Sequence, residues 1–282
     1  ATVTGGNVET WGIEPSLAGT GLSFVNGVIS GTPSINMTQT DYVVWANTTG
    51  GETNFTITIT INEPVVNLAY SPAAQTFVRS TAITSWHATV TGGNVETWGI
   101  EPSLAGTGLS FVNGVISGTP SINMTQTDYV VWANTTGGET NFTITITINE
   151  PGVILDYIPE NVIVTIGDPM TALTPLVSNG SVEEWSIYPE LDNGLDFTNG
   201  IISGTPTSIQ SKRTYKIWAN NTGGNTYHDV NITILDIAPE ISYSLASVVM
   251  TNDTLSSDLP LYPSNLGGPV VTWSITPELS LG

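Results

Sequence analysis

The sequence predicts an all-β protein in which β-sandwich modules follow one another at a period of 87 residues, arranged as a rod. Three observations carry this expectation. Residues 1–64 recur letter for letter as residues 88–151. A diverged third copy follows from about Pro175 and a fourth begins near Pro263, with Trp11, Trp98, Trp185 and Trp273 marking the register. All local signals are strand or turn, and no segment sustains the apolar period of a helix.

Within one repeat the elements follow in order. Gly21–Val25, the dipeptide Asn26-Gly27 and Val28–Gly31 read as a tight hairpin, because Asn-Gly supplies the two positive φ values of a type I′ turn. The dipeptide returns at Asn113-Gly114 and Asn199-Gly200. Asp41–Ala46 is a strand, and Asn47–Gly51 turns it into the next one. Phe55–Ile61 alternates strictly, placing Phe55, Ile57, Ile59 and Ile61 on one face and threonines on the other, the pattern of a half-buried strand. Each unit is thus expected to be a sandwich of about seven short strands.

The strings Trp11-Gly-Ile-Glu-Pro15, Gly21-Leu-Ser-Phe24, Val28-Ile-Ser-Gly-Thr-Pro33 and Asp41-Tyr-Val-Val-Trp-Ala-Asn-Thr-Thr-Gly-Gly51 recur through the repeats. Together they resemble the cadherin-like, dystroglycan-type Ig repeat found in tandem in large bacterial and archaeal surface proteins. The resemblance implies an Ig-like sandwich, an extracellular array and a scaffold or adhesion role without chemistry. The calcium-binding motifs of true cadherins are missing, so calcium-dependent rigidity is not implied.

Module and repeat differ in phase. A module should open with an edge strand around Val65–Ile83, including Tyr70-Ser-Pro72, and close at Thr60–Glu63. Residues 1–62 are then an incomplete module lacking its opening strands, residues 63–150 and 151–237 are complete modules, and residues 238–282 hold the opening strands of a further one. The dipeptides Glu63-Pro64 and Glu150-Pro151 are stiff junctions that favour an extended array. The chain opens inside one repeat and closes inside another, and reads as an excerpt of a longer protein. Completion of one copy's head by another's tail is a second way to satisfy the broken ends. Residues 1–20 align with residues 263–282, however, so both ends carry the same segment, and an excerpt fits better.

Composition narrows the function classes. The chain has 24 acidic residues against four basic ones, Arg79, Lys212, Arg213 and Lys216, for a net charge of −20. Such a surface repels nucleic acid and anionic lipid. There are no cysteines, and no apolar run is long enough for a membrane-spanning helix. The acidic, salt-tolerant surface suits an extracellular, cell-surface setting, and with the sequons below it hints at an archaeal one.

The densest chemical signal is the Asn-x-Ser/Thr sequon, at Asn36, Asn47, Asn54, Asn123, Asn134, Asn141, Asn179, Asn220, Asn231 and Asn252. Each has the amide and hydroxyl that N-glycosylation requires, although turns and strand surfaces also favour these residue types. Trp11, Trp98 and Trp185 are expected in the core. Trp45, Trp132 and Trp218 alternate against inward-facing neighbours, so their indoles are expected to face outward, to pack on a neighbouring module, contact another chain or bind sugar. Calcium at the junctions would draw on Glu63, Glu14 or Asp236, but the clustered carboxylates of a calcium loop are absent from the sequence. His87 and His228 stand without Cys or another His nearby, so no metal site is expected. No motif locates a catalytic triad, and an enzyme is not expected.

These readings converge on a structural component of a surface filament, sheath or surface layer, built from glycosylated Ig-like repeats and associating with identical chains side by side or end to end. The alternative is the stalk of a large adhesin that presents a distal binding domain. A carbohydrate-binding module acting through Trp45 and its equivalents comes third.

Overall fold

The computed structural model describes residues 1–251 and 260–277, and among these the only regular elements are strands. The chain divides into two compact units, Ala1–Asn149 and Glu150–Gly282. Both are built from Ig-like β-sandwich modules in tandem.

In the first unit, the first repeat forms β1 (Thr10–Glu14), β2 (Leu22–Val25), β3 (Val28–Gly31), β4 (Met37–Thr48) and β5 (Gly51–Ile61). These make a three-stranded sheet in the order β1-β4-β5 and a separate hairpin, β2-β3. The second repeat adds β6 (Asn67–Tyr70), β7 (Ala74–Val78) and β8 (Trp86–Thr91) before its counterparts β9 (Thr97–Glu101), β10 (Leu109–Val112), β11 (Val115–Gly118), β12 (Met124–Thr135) and β13 (Gly138–Asn149). It closes into two four-stranded sheets, β7-β13-β12-β9 and β10-β11-β8-β6.

The segment read as a single opening strand is therefore two strands in two sheets. β6 pairs antiparallel with β8, whereas β7 pairs parallel with β13. The chain changes sheet at Ser71-Pro72, where proline can give no N–H to a ladder.

Between the second repeat's sheets lies a continuous core that includes Val66, Leu68, Tyr70, Trp86, Ile116, Val131, Ile144, Ile146 and Ile148. Trp86 meets Tyr70 edge to face at 5.2 Å and Phe77 at 6.4 Å. The Tyr70 hydroxyl donates to the carbonyl of Gly114 at 2.8 Å, tying an opening strand to the Asn-Gly hairpin. Burial pushes the Tyr70 phenol up to about 12. At the hairpin itself Asn113 has φ 48° and Gly114 φ 76°, as a type I′ turn requires.

The second unit repeats this plan with β14 (Ile154–Asp156), β15 (Asn161–Thr165), β16 (Leu176–Ser178), β17 (Glu184–Tyr188), β18 (Leu195–Thr198), β19 (Ile201–Gly204), β20 (Gln210–Asn221) and β21 (Gly224–Leu235). One sheet runs β15-β21-β20-β17, with β15 parallel to β21. Facing it are the pairs β14-β16 and β18-β19, with Leu173 bridged to Ile202. The core holds Leu155, Tyr157, Leu173, Ile202, Tyr215, Ile217 and Ile232. Tyr157 repeats the Tyr70 device, donating to Gly200 O at 2.5 Å, and burial raises its phenol above the ordinary range. A last short pair, β22 (Ile241–Tyr243) and β23 (Pro263–Asn265), follows.

Candidate functional site

The inner tryptophans pack where the alternation puts them. Trp98 belongs to the periphery of the second core and meets Phe111 edge to face at 6.3 Å. Its ring covers the turn glycine: a Cβ on Gly114 would lie 2.6 Å from the indole. Trp11 and Trp185 stand in the same relation to Gly27 and Gly200. All three are half-buried rather than sealed.

Two of the outer tryptophans lie over glycines of the adjacent strand in their own sheet. Trp45 stands opposite Gly12 and Trp132 opposite Gly99. A Cβ on either glycine would fall within about 2.3 Å of the indole, as the 2.3 Å and 2.2 Å approaches show. Each indole thus lies across a bare backbone on the outer sheet face and leaves the ring half-buried. Trp218 is half-buried too, with Ser186 opposite it.

The sequons separate into classes that composition does not reveal. Asn36, Asn54, Asn123 and Asn141 are exposed. Asn47, Asn134 and Asn220 are half-buried at the end of the long hairpin. There the Asn134 amide donates to Thr97 Oγ1 at 3.2 Å, and Oδ1 of Asn47 and of Asn220 is buried without a hydrogen-bond partner. The hydroxyls of these turn sequons also serve the junctions. Thr136 Oγ1 accepts the Glu63 N–H at 2.7 Å, and Thr222 Oγ1 accepts the Glu150 N–H at 2.8 Å. Asn179 is exposed, but its amide donates to Gly152 O at 2.8 Å. Asn231 is half-buried, its Oδ1 accepting from Thr214 at 2.7 Å. Asn252 lies outside the described residues.

The carboxylates considered for calcium take other partners. Glu63 accepts from the backbone and side-chain amides of Asn94 at 3.4 and 3.3 Å, and Asp236 accepts from the Ile237 N–H at 2.8 Å. Among the described residues neither they nor Glu14 belong to a group of three or more potential metal ligands.

His228 has neither Cys nor another His beside it, but it does have carboxylates. The fold brings Asp156 and Glu160 to it, with one potential ligand atom from each of the three within 4.8 Å of the others. Asp156 Oδ1 lies 3.4 Å from His228 Nδ1. Sequence spacing could not show this, because the three residues come from opposite sheets and from a turn. The usable signal was a comparison of repeats, in which the apolar residues of the second repeat become ligand types in the third.

In the first repeat the inner face is open. A cavity of about 670 Å³ is lined by Trp11, Phe24, Ile29, Val44, Phe55 and Ile57 among others. The equivalent face of the second repeat is covered by β6 and β8 of the facing sheet, while β7 extends its own sheet beside β13.

No family model matches the chain, and no curated protein is similar to it. Solved tandem-Ig structures are similar at low identity. They include an I-band fragment of titin (13% identity, TM-score 0.41, 79% of this chain and 86% of that one) and extracellular domains 3–5 of Drosophila OTK (13%, 0.38, 76% and 78%). The N-terminal eight Ig domains of the Down Syndrome Cell Adhesion Molecule match at 12% identity and TM-score 0.33, over 78% of this chain and 34% of that one. Among the described residues no helix is long and apolar enough to cross a membrane. The molecule's own sheet order and cores make its repeats tandem Ig-like modules.

Proposed function

We propose that this chain is a structural segment of an extracellular cell-surface filament, sheath or surface layer, made of tandem N-glycosylated Ig-like modules bounded at residues 62/63, 150/151 and 237/238. One observation carries the reading. What the third repeat keeps of the duplicated sequence is core and turn: Trp185, Leu195, Phe197, Asn199-Gly200, Ile202 and the Trp218-Ala-Asn string. A repeat selected for shape retains these residues and lets its polar surface drift.

The exposed asparagines Asn36, Asn54, Asn123 and Asn141 are the favoured glycan sites, since an oligosaccharide must attach at a solvent-accessible residue. The turn asparagines Asn47, Asn134 and Asn220 are disfavoured by burial. A sugar coat on the strand asparagines Asn54 and Asn141 would shield a sheet surface that lacks protective lysines. Partners are identical chains, meeting laterally or end to end.

Cryo-electron microscopy of the native material tests the reading. Ordered contacts between copies, with sugar density on Asn54 and Asn141, are expected. Isolated rods with bare asparagines would replace it with the adhesin-stalk alternative. Retention on a glycan array that is lost on Trp132→Ala would favour the carbohydrate-binding reading instead.

A further inference from the structure

We propose that Asp156, Glu160 and His228 form a divalent transition-metal site, of the zinc type, that clamps the two sheets of the third repeat together. The alignment of the two complete repeats is set by shared contacts. Tyr70 and Tyr157 both donate their hydroxyls to the glycine carbonyl of the Asn-Gly turn. Phe142 stands opposite Val131 as His228 stands opposite Ile217. Each of these rings also faces the shared tyrosine, Phe142 at 6.2 Å from Tyr70 and His228 at 5.8 Å from Tyr157.

On this alignment Ala69, Ala73 and Phe142 of the second repeat become Asp156, Glu160 and His228. Three positions far apart in the chain and adjacent in the fold thus change together, from apolar residues to ligand types. Drift of a solvated surface does not explain the histidine. Its side chain is only 16% exposed and points inward beside a buried tyrosine ring.

The geometry suits a small ion. The three donors lie within 4.8 Å of one another, and the imidazole is turned so that Nδ1 faces the Asp156 carboxylate at 3.4 Å. Tetrahedral coordination with bonds of about 2.0–2.2 Å needs donors about 3.4 Å apart. Rotation of the exposed Glu160 side chain, with Asp156 half exposed, supplies the closure and leaves a fourth position to water. One imidazole with two carboxylates suits zinc and its neighbours, whereas calcium wants six to eight oxygens and has no preference for nitrogen.

Asp156 ends β14, Glu160 precedes β15 and His228 lies on β21, so a metal here links the opening segment to the facing sheet. In a chain without cysteine that is a cross-link no disulfide can supply.

The test uses the 282-residue chain. Calorimetric titration with Zn²⁺ at neutral pH should show one saturable site, and Co²⁺ should give the visible absorption of a tetrahedral centre. Asp156→Ala, Glu160→Ala and His228→Phe each install the residue of the second repeat, where it folds. Each should weaken Zn²⁺ binding at least as much as loss of an outer-shell partner does, about 10–100-fold. Saturating Zn²⁺ should raise the Tm of the third repeat by about 5 °C, and the triple variant should abolish the rise while keeping its β-type circular dichroism. Absence of saturable Zn²⁺ binding overturns the site and leaves a His–Asp contact only. Binding undiminished in the triple variant overturns it equally.

Discussion

Residues 1–64 and 88–151 are the same 64 letters, and the fold uses them differently. Their strand pairing is the same: Trp11 stands opposite Ala46 as Trp98 does opposite Ala133, and Tyr42 opposite Ile57 as Tyr129 does opposite Ile144. Burial is not. Ile144 and Ile146 are wholly buried and Ile148 nearly so, whereas Ile57, Ile59 and Ile61 are half-buried. Phe55 is 72% exposed, whereas Phe142 packs on the core. The difference comes from residues 64–87, which lay Val66, Leu68, Tyr70, Phe77 and Trp86 over the second copy. Local sequence is sufficient for the hairpins and their register. A closed core needs the opening segment as well, because apolar strand faces are stabilised only by what covers them.

Breaking that cover should have the largest effect. Trp86→Ala removes the side chain that packs against both Tyr70 and Phe77 and should cost about 3–5 kcal/mol. In denaturant titrations the second repeat should then unfold early, while the first repeat's signal stays where it was.

Paired substitutions sharpen the contrast within identical sequence. Ile144→Ala should cost about 2–5 kcal/mol, and Ile57→Ala about 1 kcal/mol or less, as judged by the same titration. Equal costs would mean that the first repeat has found another cover in solution.

Alkali offers a third separation. The Tyr70 phenol is raised by burial from about 10 in the unfolded chain to about 12. Its stabilising contribution is therefore complete below pH 10 and is lost as pH climbs toward 12, on the order of 2 kcal/mol. Phenolate absorbance followed with circular dichroism should show the second repeat losing stability across that window, and Tyr70→Phe should reduce the dependence to the part carried by Tyr129, whose phenol burial also raises.

The smallest effect should be common to both copies. Gly12→Ala and Gly99→Ala each push a methyl into the overlying indole, at a cost of about 1 kcal/mol. Ser186 already stands opposite Trp218 in the third repeat, so the indole has room to shift. Thermal unfolding should move by a similar amount for both variants, because this pair lies on the outer face that the opening segment does not touch.

Much of the module was legible in its letters. The strict alternation of Phe55–Ile61 and the Asn-Gly dipeptides lead directly to β5, β13 and the hairpins, since pleat and turn are set by neighbouring residues. The opening segment was less legible. Asn67–Tyr70 and Ala74–Val78 both look like strand, but the partner of β7 lies some 70 residues away in a parallel ladder, and nothing local announces which sheet will receive it. The outer tryptophans were foreseen as outward, whereas their seat on Gly12 and Gly99 depends on cross-strand register. The sequons were plain as text, and their burial was not.

By itself the sequence determined the repeat, the strands, the tight turns and the acidic surface, because each follows from residues close together in the chain or from a simple sum of charge. Only the tertiary structure decided which copy of an identical face is closed, which asparagines face solvent, and that Asp156 and Glu160 meet His228. Those outcomes depend on segments distant in sequence packing across the two sheets, and burial and ligand geometry exist only after that packing has occurred.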